Sequence, residues 1–246
     1  MKKLFPFLLP FSLTLLAILT GCKGDSHSNN QASVLPRGQQ KHLDRFEQEI
    51  QAFEASDKTS MPPQNAVLFV GSSSIRMWNT LEKDFAPLPV INRGFGGSTI
   101  PEVAYYANRI IYKYKPGLIV FYCGDNDLAS DDPPALVFQN FKKFIGETEK
   151  NLKDTPIVFI SAKPSPSRWN MWRNYQQFNS MVEQFAQSWP TLRYVDISTT
   201  LLDANGTPDP ALFTEDKLHM NSRGYERWTA MLKPVVTELY EKRLAQ

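Results

Sequence analysis

Five short apolar runs, separated by longer segments of helical period, constrain this chain more than any other feature. The runs are Val67–Val70, Leu88–Asn92, Leu118–Cys123, Ile157–Ser161 and Leu192–Ile197. They are rich in β-branched and aromatic residues and are entered through proline or a polar turn, as strands are. Between them, Ile100–Tyr114 places Ile100, Val103, Ala104, Ala107, Ile110 and Ile111 on one helical face, and Pro134–Leu152 and Asn170–Trp189 have helix length. A last helix is predicted from Ser222 to about Leu244. This alternation predicts an α/β domain, a parallel sheet with helices on both faces. The roughly 180 residues from Gln64 onward suffice for one full-sized core. Strand order is not readable from the pattern. In any open α/β sheet, however, ligands bind beyond the C-terminal ends of the strands, so the loops after the strands are where chemistry is expected.

Upstream of the domain, Met1-Lys2-Lys3 and an uncharged apolar run from Leu4 to Gly21 read as a secretory signal (residues 1–21); Pro6 and Pro10 argue against a spanning helix. The run ends in Leu19-Thr20-Gly21-Cys22, which resembles a bacterial lipobox. The resemblance implies lipidation of Cys22, attachment to the membrane and, with Lys23 rather than aspartate next, the outer membrane of a Gram-negative host. Residues 22–38 are polar and aperiodic, a flexible tether that includes His27. Residues 39–63 hold a predicted amphipathic helix from Gln39 to Ala55, with Leu43, Phe46, Ile50 and Phe53 inward and His42 on the polar side, then the break Met61-Pro62-Pro63.

The strand ends carry the polar and glycine-rich segments on which chemistry can be built. The first strand stops at Gly71 and is followed by Ser72, Ser73 and Ser74, three hydroxyls at a sharp turn, any of which can be a nucleophile or only a turn residue. After the second strand, Gly94-Phe95-Gly96-Gly97-Ser98-Thr99 lacks the last glycine and the downstream acid of a dinucleotide fingerprint. It suits backbone N–H groups near a helix N-terminus, which favour negative charge. Gly124-Asp125-Asn126-Asp127 offers an amide donor at Asn126; with no second acidic or histidine cluster, a metal site is not expected there. The loop Ala162–Trp169 is stiffened by prolines, and Arg168 and Trp169 can line a pocket or simply stack on each other. Asp216-Lys217-Leu218-His219 carries the only imidazole beyond residue 42, three residues after an acid. A serine nucleophile needs such a base, and the base needs an orienting carboxylate.

Taken in order, these blocks resemble the SGNH (GDSL-type) hydrolases. Gly71 matches the first family block, Ser72 stands where the family has aspartate, Ser73 takes the nucleophile's place, and Trp78 keeps the spacing. Gly97 falls on the second block's glycine, Gly124-Asp125-Asn126-Asp127 on Gly-x-Asn-Asp, and Asp216 and His219 on the final Asp-x-x-His. The resemblance implies a three-layer α/β/α sandwich with a five-stranded, flavodoxin-like parallel sheet. It also implies Ser73, His219 and Asp216 as catalytic residues, and Ser73, Gly97 and Asn126 as oxyanion donors. No metal or organic cofactor is implied.

Composition narrows the partners. Net charge is +2 without a basic run, which gives no argument for nucleic acid. With Cys22 assigned to lipid, Cys123 has no disulfide partner and reads as a small buried hydrophobe. The family resemblance implies a small-molecule or polysaccharide ester substrate, here expected to carry a short acyl group, and Trp78, Trp169 and Trp172 are candidate sugar-stacking residues. A lysophospholipase, an acyltransferase on the same residues, and a non-catalytic envelope scaffold are the other readings.

Overall fold

The computed structural model describes residues 43–245. The expected signal segment, Cys22, the tether, His27, His42 and the start of the expected first helix lie outside the described residues. Five parallel strands, β1 (Val67–Gly71), β2 (Val90–Gly94), β3 (Leu118–Tyr122), β4 (Ile157–Ile160) and β5 (Leu192–Val195), form one sheet in the order β2-β1-β3-β4-β5. That is the flavodoxin-like order. Among the described residues eight α-helices occur in chain order: α1 (Glu47–Thr59), α2 (Ser73–Arg76), α3 (Leu81–Phe85), α4 (Ile100–Ile110), α5 (Asp125–Ala129), α6 (Pro134–Asn151), α7 (Trp172–Ala186) and α8 (Ser222–Leu244).

Strand periodicity divides the core in two. Leu68 and Val70, with Ile119, Phe121, Ile157 and Phe159, face α1, α4, α6 and α7. Val67 and Phe69, with Leu118, Val120, Tyr122, Val158 and Ile160, face Leu81 and Phe85 of α3 and Trp228, Leu232 and Val236 of α8. Both faces are covered, hence the three layers and the unbroken apolar runs. Each fully buried aliphatic or aromatic side chain contributes roughly 1.5–3 kcal/mol before the entropy of ordering is subtracted.

Element ends differ from expectation for identifiable reasons. β2 starts at Val90 because Pro89 has no N–H for the ladder. It runs on to Gly94 because Arg93 is held inside, 2.5 Å from Asp57 of α1 and 2.6 Å from the Tyr114 hydroxyl. Helix α4 stops at Ile110, and Tyr112–Tyr114 form a 3₁₀ turn that Lys115 ends in the left-handed conformation at φ 45°. Helix α1 extends to Thr59, beyond the expected Ala55; Ile50 is fully buried, and Glu47 and Glu54 both pair with Arg109 of α4. Among the described residues no helix is long and apolar enough to cross a membrane.

The topology decides where a site can form. From β1 the chain first moves to β2 on one side and then to β3 on the other, so a crevice opens at the C-terminal ends of these three strands.

Candidate active site

Gly71 makes the first turn possible. Its φ is +134°, and an added Cβ would lie 1.8 Å from the Tyr122 carbonyl oxygen, so only glycine lets β1 end this close to β3. The next residues wind into α2. Ser72 is fully buried and Ser74 2% exposed, whereas Ser73, the first residue of α2, reaches the surface. Of the three hydroxyls left open by the sequence, only that of Ser73 is both accessible and partnered by an imidazole. Its Oγ lies 2.8 Å from His219 Nε2. The Tyr225 hydroxyl of α8 donates to the Ser74 carbonyl at 2.9 Å and holds α2 against the second core.

His219 and Asp216 share one loop. Asp216 Oδ2 lies 2.5 Å from His219 Nδ1, and its Oδ1 accepts from the N–H groups of Leu218 and His219, both at 2.9 Å, and from the Thr214 hydroxyl at 2.8 Å. Partial burial pushes the Asp216 carboxyl up, but these hydrogen bonds outweigh it and hold the group well below the usual carboxylate range. An ionised Asp216 beside Nδ1 favours the tautomer that carries a proton there, in which Nε2 can accept from the Ser73 hydroxyl. A hydroxyl, an imidazole and a carboxylate in this chain can generate an alkoxide-like nucleophile at neutral pH.

The other two loops bring Gly97 and Asn126 together. A Cβ on Gly97 would sit 3.8 Å from the Asn126 amide group. Asn126 Nδ2 donates to the Ser98 carbonyl at 3.1 Å, and its Oδ1 accepts from Arg168 at 3.0 Å. Because guanidinium can only donate, the amide is oriented with its NH₂ away from Arg168, and one N–H remains for a ligand. Asp127 ties this loop to the glycine loop by accepting the Ile100 N–H at the start of α4, at 3.1 and 3.2 Å; burial pushes its carboxyl up to about 7 against that hydrogen bond. The backbone N–H groups of Ser73 and Gly97 have no acceptor among the described residues.

Several supporting residues were not legible in advance. Lys163, in the loop after β4, is buried and donates to the Leu218 carbonyl at 2.7 Å; Ser167 N–H donates to the Lys217 carbonyl at 3.0 Å. Burial lowers the Lys163 ammonium to about 8, against the attraction of Asp125. Arg168 also reaches Asp125, so the proline-stiffened loop braces both Asn126 and His219. For Lys163 and Ser167 the only advance signal was position on a loop at the sheet's ligand edge, whereas Arg168 was already expected as a pocket-lining candidate. Trp169 stacks on Trp172 at 5.8 Å rather than on Arg168. Trp78 is 1% exposed, donates to Asp84 and packs on Phe69, Phe85, Tyr225 and Trp228; it is core, not a stacking surface. Cys123 is buried and free, its Sγ 3.3 Å from the Ser98 carbonyl. Among the described residues no group of three or more His, Cys, Asp or Glu side chains is arranged to hold a metal ion.

Solved structures share this architecture. A Streptococcus pneumonia protein named for platelet activating factor superposes with a TM-score of 0.70 at 20% identity, over 80% of this chain and 95% of its own. A GDSL-like lipase from Bacteroides thetaiotaomicron gives 0.65 at 20% identity, over 77% and 97%. A catalytic mutant of an acetylxylan esterase from Geobacillus stearothermophilus gives 0.57 at 17% identity, over 70% and 93%. At these identities the likeness is one of fold. No curated protein matches the chain in sequence. The model of the GDSL-like lipase/acylhydrolase family matches residues 66–227, which span all five strands and every loop described above. The chain therefore belongs to the GDSL-like lipase/acylhydrolase family and is an ester-hydrolysing enzyme.

Proposed function

We propose that the protein is a serine esterase in which Ser73 is the nucleophile, His219 the general base and acid, and Asp216 the residue that orients and steadies the imidazolium. The observation that carries this reading is the relay from Ser73 Oγ to His219 Nε2 at 2.8 Å and from His219 Nδ1 to Asp216 Oδ2 at 2.5 Å. As Ser73 Oγ attacks the ester carbonyl, its proton passes to Nε2. The carbonyl oxygen takes up the electron pair, and the N–H groups of Ser73, Gly97 and Asn126 are its proposed donors. Collapse expels the alcohol, which takes the proton back from Nε2 and leaves an acyl-serine. Water then repeats the sequence, releasing the carboxylic acid and restoring Ser73.

The substrate we assign is a short-chain, acetyl-type ester of a carbohydrate or other envelope component. Support comes from the fold shared with an acetylxylan esterase and from the stacked Trp169 and Trp172, which lie in the chain immediately after the Asn126-binding Arg168. We further propose that Cys22 is lipidated and tethers the enzyme outside the cytoplasm, in the outer membrane of a Gram-negative host. Labelling with a radioactive fatty acid, present in the full chain and lost in Cys22→Ser, checks the anchor.

The enzymology is tested with p-nitrophenyl esters from acetate to palmitate, using soluble protein that starts after Cys22. The expected result is turnover that falls with chain length and vanishes in Ser73→Ala. Asn126→Ala should lower kcat by roughly 10²–10³. Wild-type rates in Ser73→Ala would discard the mechanism; a preference for palmitate would discard the substrate class.

A further inference from the structure

Residues 43–65 precede the segment matched by the family model, yet they hold the loop that carries Gly97. Glu49 of α1 accepts the Gly96 N–H at 3.0 Å. Arg45, in the turn before α1, donates to the Gly97 carbonyl at 3.2 Å while its guanidinium grips the Glu102 carboxylate through two nitrogens. The Phe46 ring lies where a Cβ on Gly96 would come within 2.0 Å, packs edge-on against Phe95 at 5.2 Å, and is covered by the Arg45 guanidinium at 4.4 Å. Glu49 also approaches Arg76 of α2, at 3.7 Å.

These contacts fall on either side of one peptide group. The Gly97 N–H belongs to the Gly96–Gly97 peptide. The N–H of the peptide before it is tied to Glu49, and the C=O of the peptide after it is tied to Arg45. Two successive glycines have the least intrinsic preference for any one conformation, and Gly96 sits at φ +35°. Left alone, such a peptide can rotate and present its carbonyl oxygen where a donor is needed. Among the described residues the Gly97 N–H has no acceptor to fix it.

We propose that Arg45 and Glu49 are positioning residues that aim the Gly97 N–H at the transition-state oxyanion. The inference rests on the proposed role of Gly97 as a donor, and it extends the working enzyme beyond the segment matched by the family model to a helix upstream of it. Glu49 is about one-third exposed and Arg45 about half, so solvent screens their charge and the hydrogen-bond geometry carries the effect.

The test compares Glu49→Leu, Glu49→Gln, Arg45→Ala and Asn126→Ala on p-nitrophenyl acetate, with active sites titrated by an organophosphonate so that misfolded molecules do not count. A boronic acid, which forms a tetrahedral adduct with serine, reports on the oxyanion geometry directly. We expect Glu49→Leu and Arg45→Ala to lose about tenfold in kcat per titrated site at nearly constant KM, and to weaken boronate inhibition by a similar factor. Glutamine at 49 keeps an acceptor for the Gly96 N–H, so Glu49→Gln should restore kcat to within about twofold of wild type. Wild-type kcat per site in both Glu49→Leu and Arg45→Ala, with Asn126→Ala impaired, would overturn the brace and leave the donor reading standing. Wild-type kcat in Asn126→Ala would overturn the donor reading itself.

Discussion

The two halves of the proposed relay are held in opposite ways. Ser73 sits at the rim of a turn that is buried on every other side: Gly71, Ser72 and Ser74 are inaccessible, and their contacts come from β3 and from α8, far away in the chain. Asp216 has a side chain 48% exposed, and the loop around it is largely self-supporting, with Thr214, Leu218 and His219 all bonded to residues within the same few positions. The serine is placed by the fold as a whole; the acid–base pair is placed by one loop and a few struts. Damage should therefore reach the serine through stability and the histidine through rate.

The most severe break is His219→Ala, which removes the proposed base without touching the sheet. It should cost at least about 10⁴-fold in kcat/KM, equivalent to roughly 5.5 kcal/mol, with an unchanged melting temperature, read by ester hydrolysis and calorimetry. Gly71→Ala attacks the other side. Its Cβ would collide with the Tyr122 carbonyl, and the expected loss is roughly 3 kcal/mol or more of unfolding free energy in urea titrations. If Gly71→Ala keeps full stability and loses only rate, the contrast between the two halves fails.

Lys163→Met removes a strut from the histidine loop. We expect about a tenfold drop in kcat, near 1.4 kcal/mol, with the fold intact. It also predicts a pH signature. The Lys163 ammonium titrates at about 8 when folded and at 10.5 when free. Between those values the unfolded chain binds the extra proton, so the contribution of Lys163 to stability grows as pH rises from about 8 to 10.5. Unfolding titrations across that window should show the rise in wild type and its loss in Lys163→Met. The mildest change is Thr214→Val, which deletes one exposed hydrogen bond to Asp216; a two- to threefold drop in kcat, under about 1 kcal/mol, is expected.

What was legible in the sequence follows the same division. The five strands and the long helices were readable because burial on both faces or on one stripe leaves a period. Helices α2, α3 and α5 were not, since four or five residues contain barely one turn. Ser73, Gly97, Asn126, Asp216 and His219 stood out because each lies just after a strand or just before a helix and the family spacing joins them. Arg45, Glu49 and Lys163 did not, and Arg168 was a candidate pocket residue without an assigned partner. Arg45 is 52 positions from Gly97 and Lys163 is 55 from Leu218, and a long side chain that spans such a gap leaves no local pattern. Trp78 kept the family spacing but serves packing, which spacing alone does not distinguish from recognition.

The separation between Ser73 and its partners has a consequence in time. His219 follows the serine by 146 residues and Tyr225, which steadies the Ser74 carbonyl, follows Ser74 by 151. A chain synthesised from its N-terminus carries the hydroxyl long before it carries the proposed base. Through that interval Ser73, the proposed nucleophile, is an ordinary alcohol without a base to activate it. On the proposed mechanism, activation waits for His219 and for α8 behind it, so competence to cut an ester would double as a signal that the domain has closed.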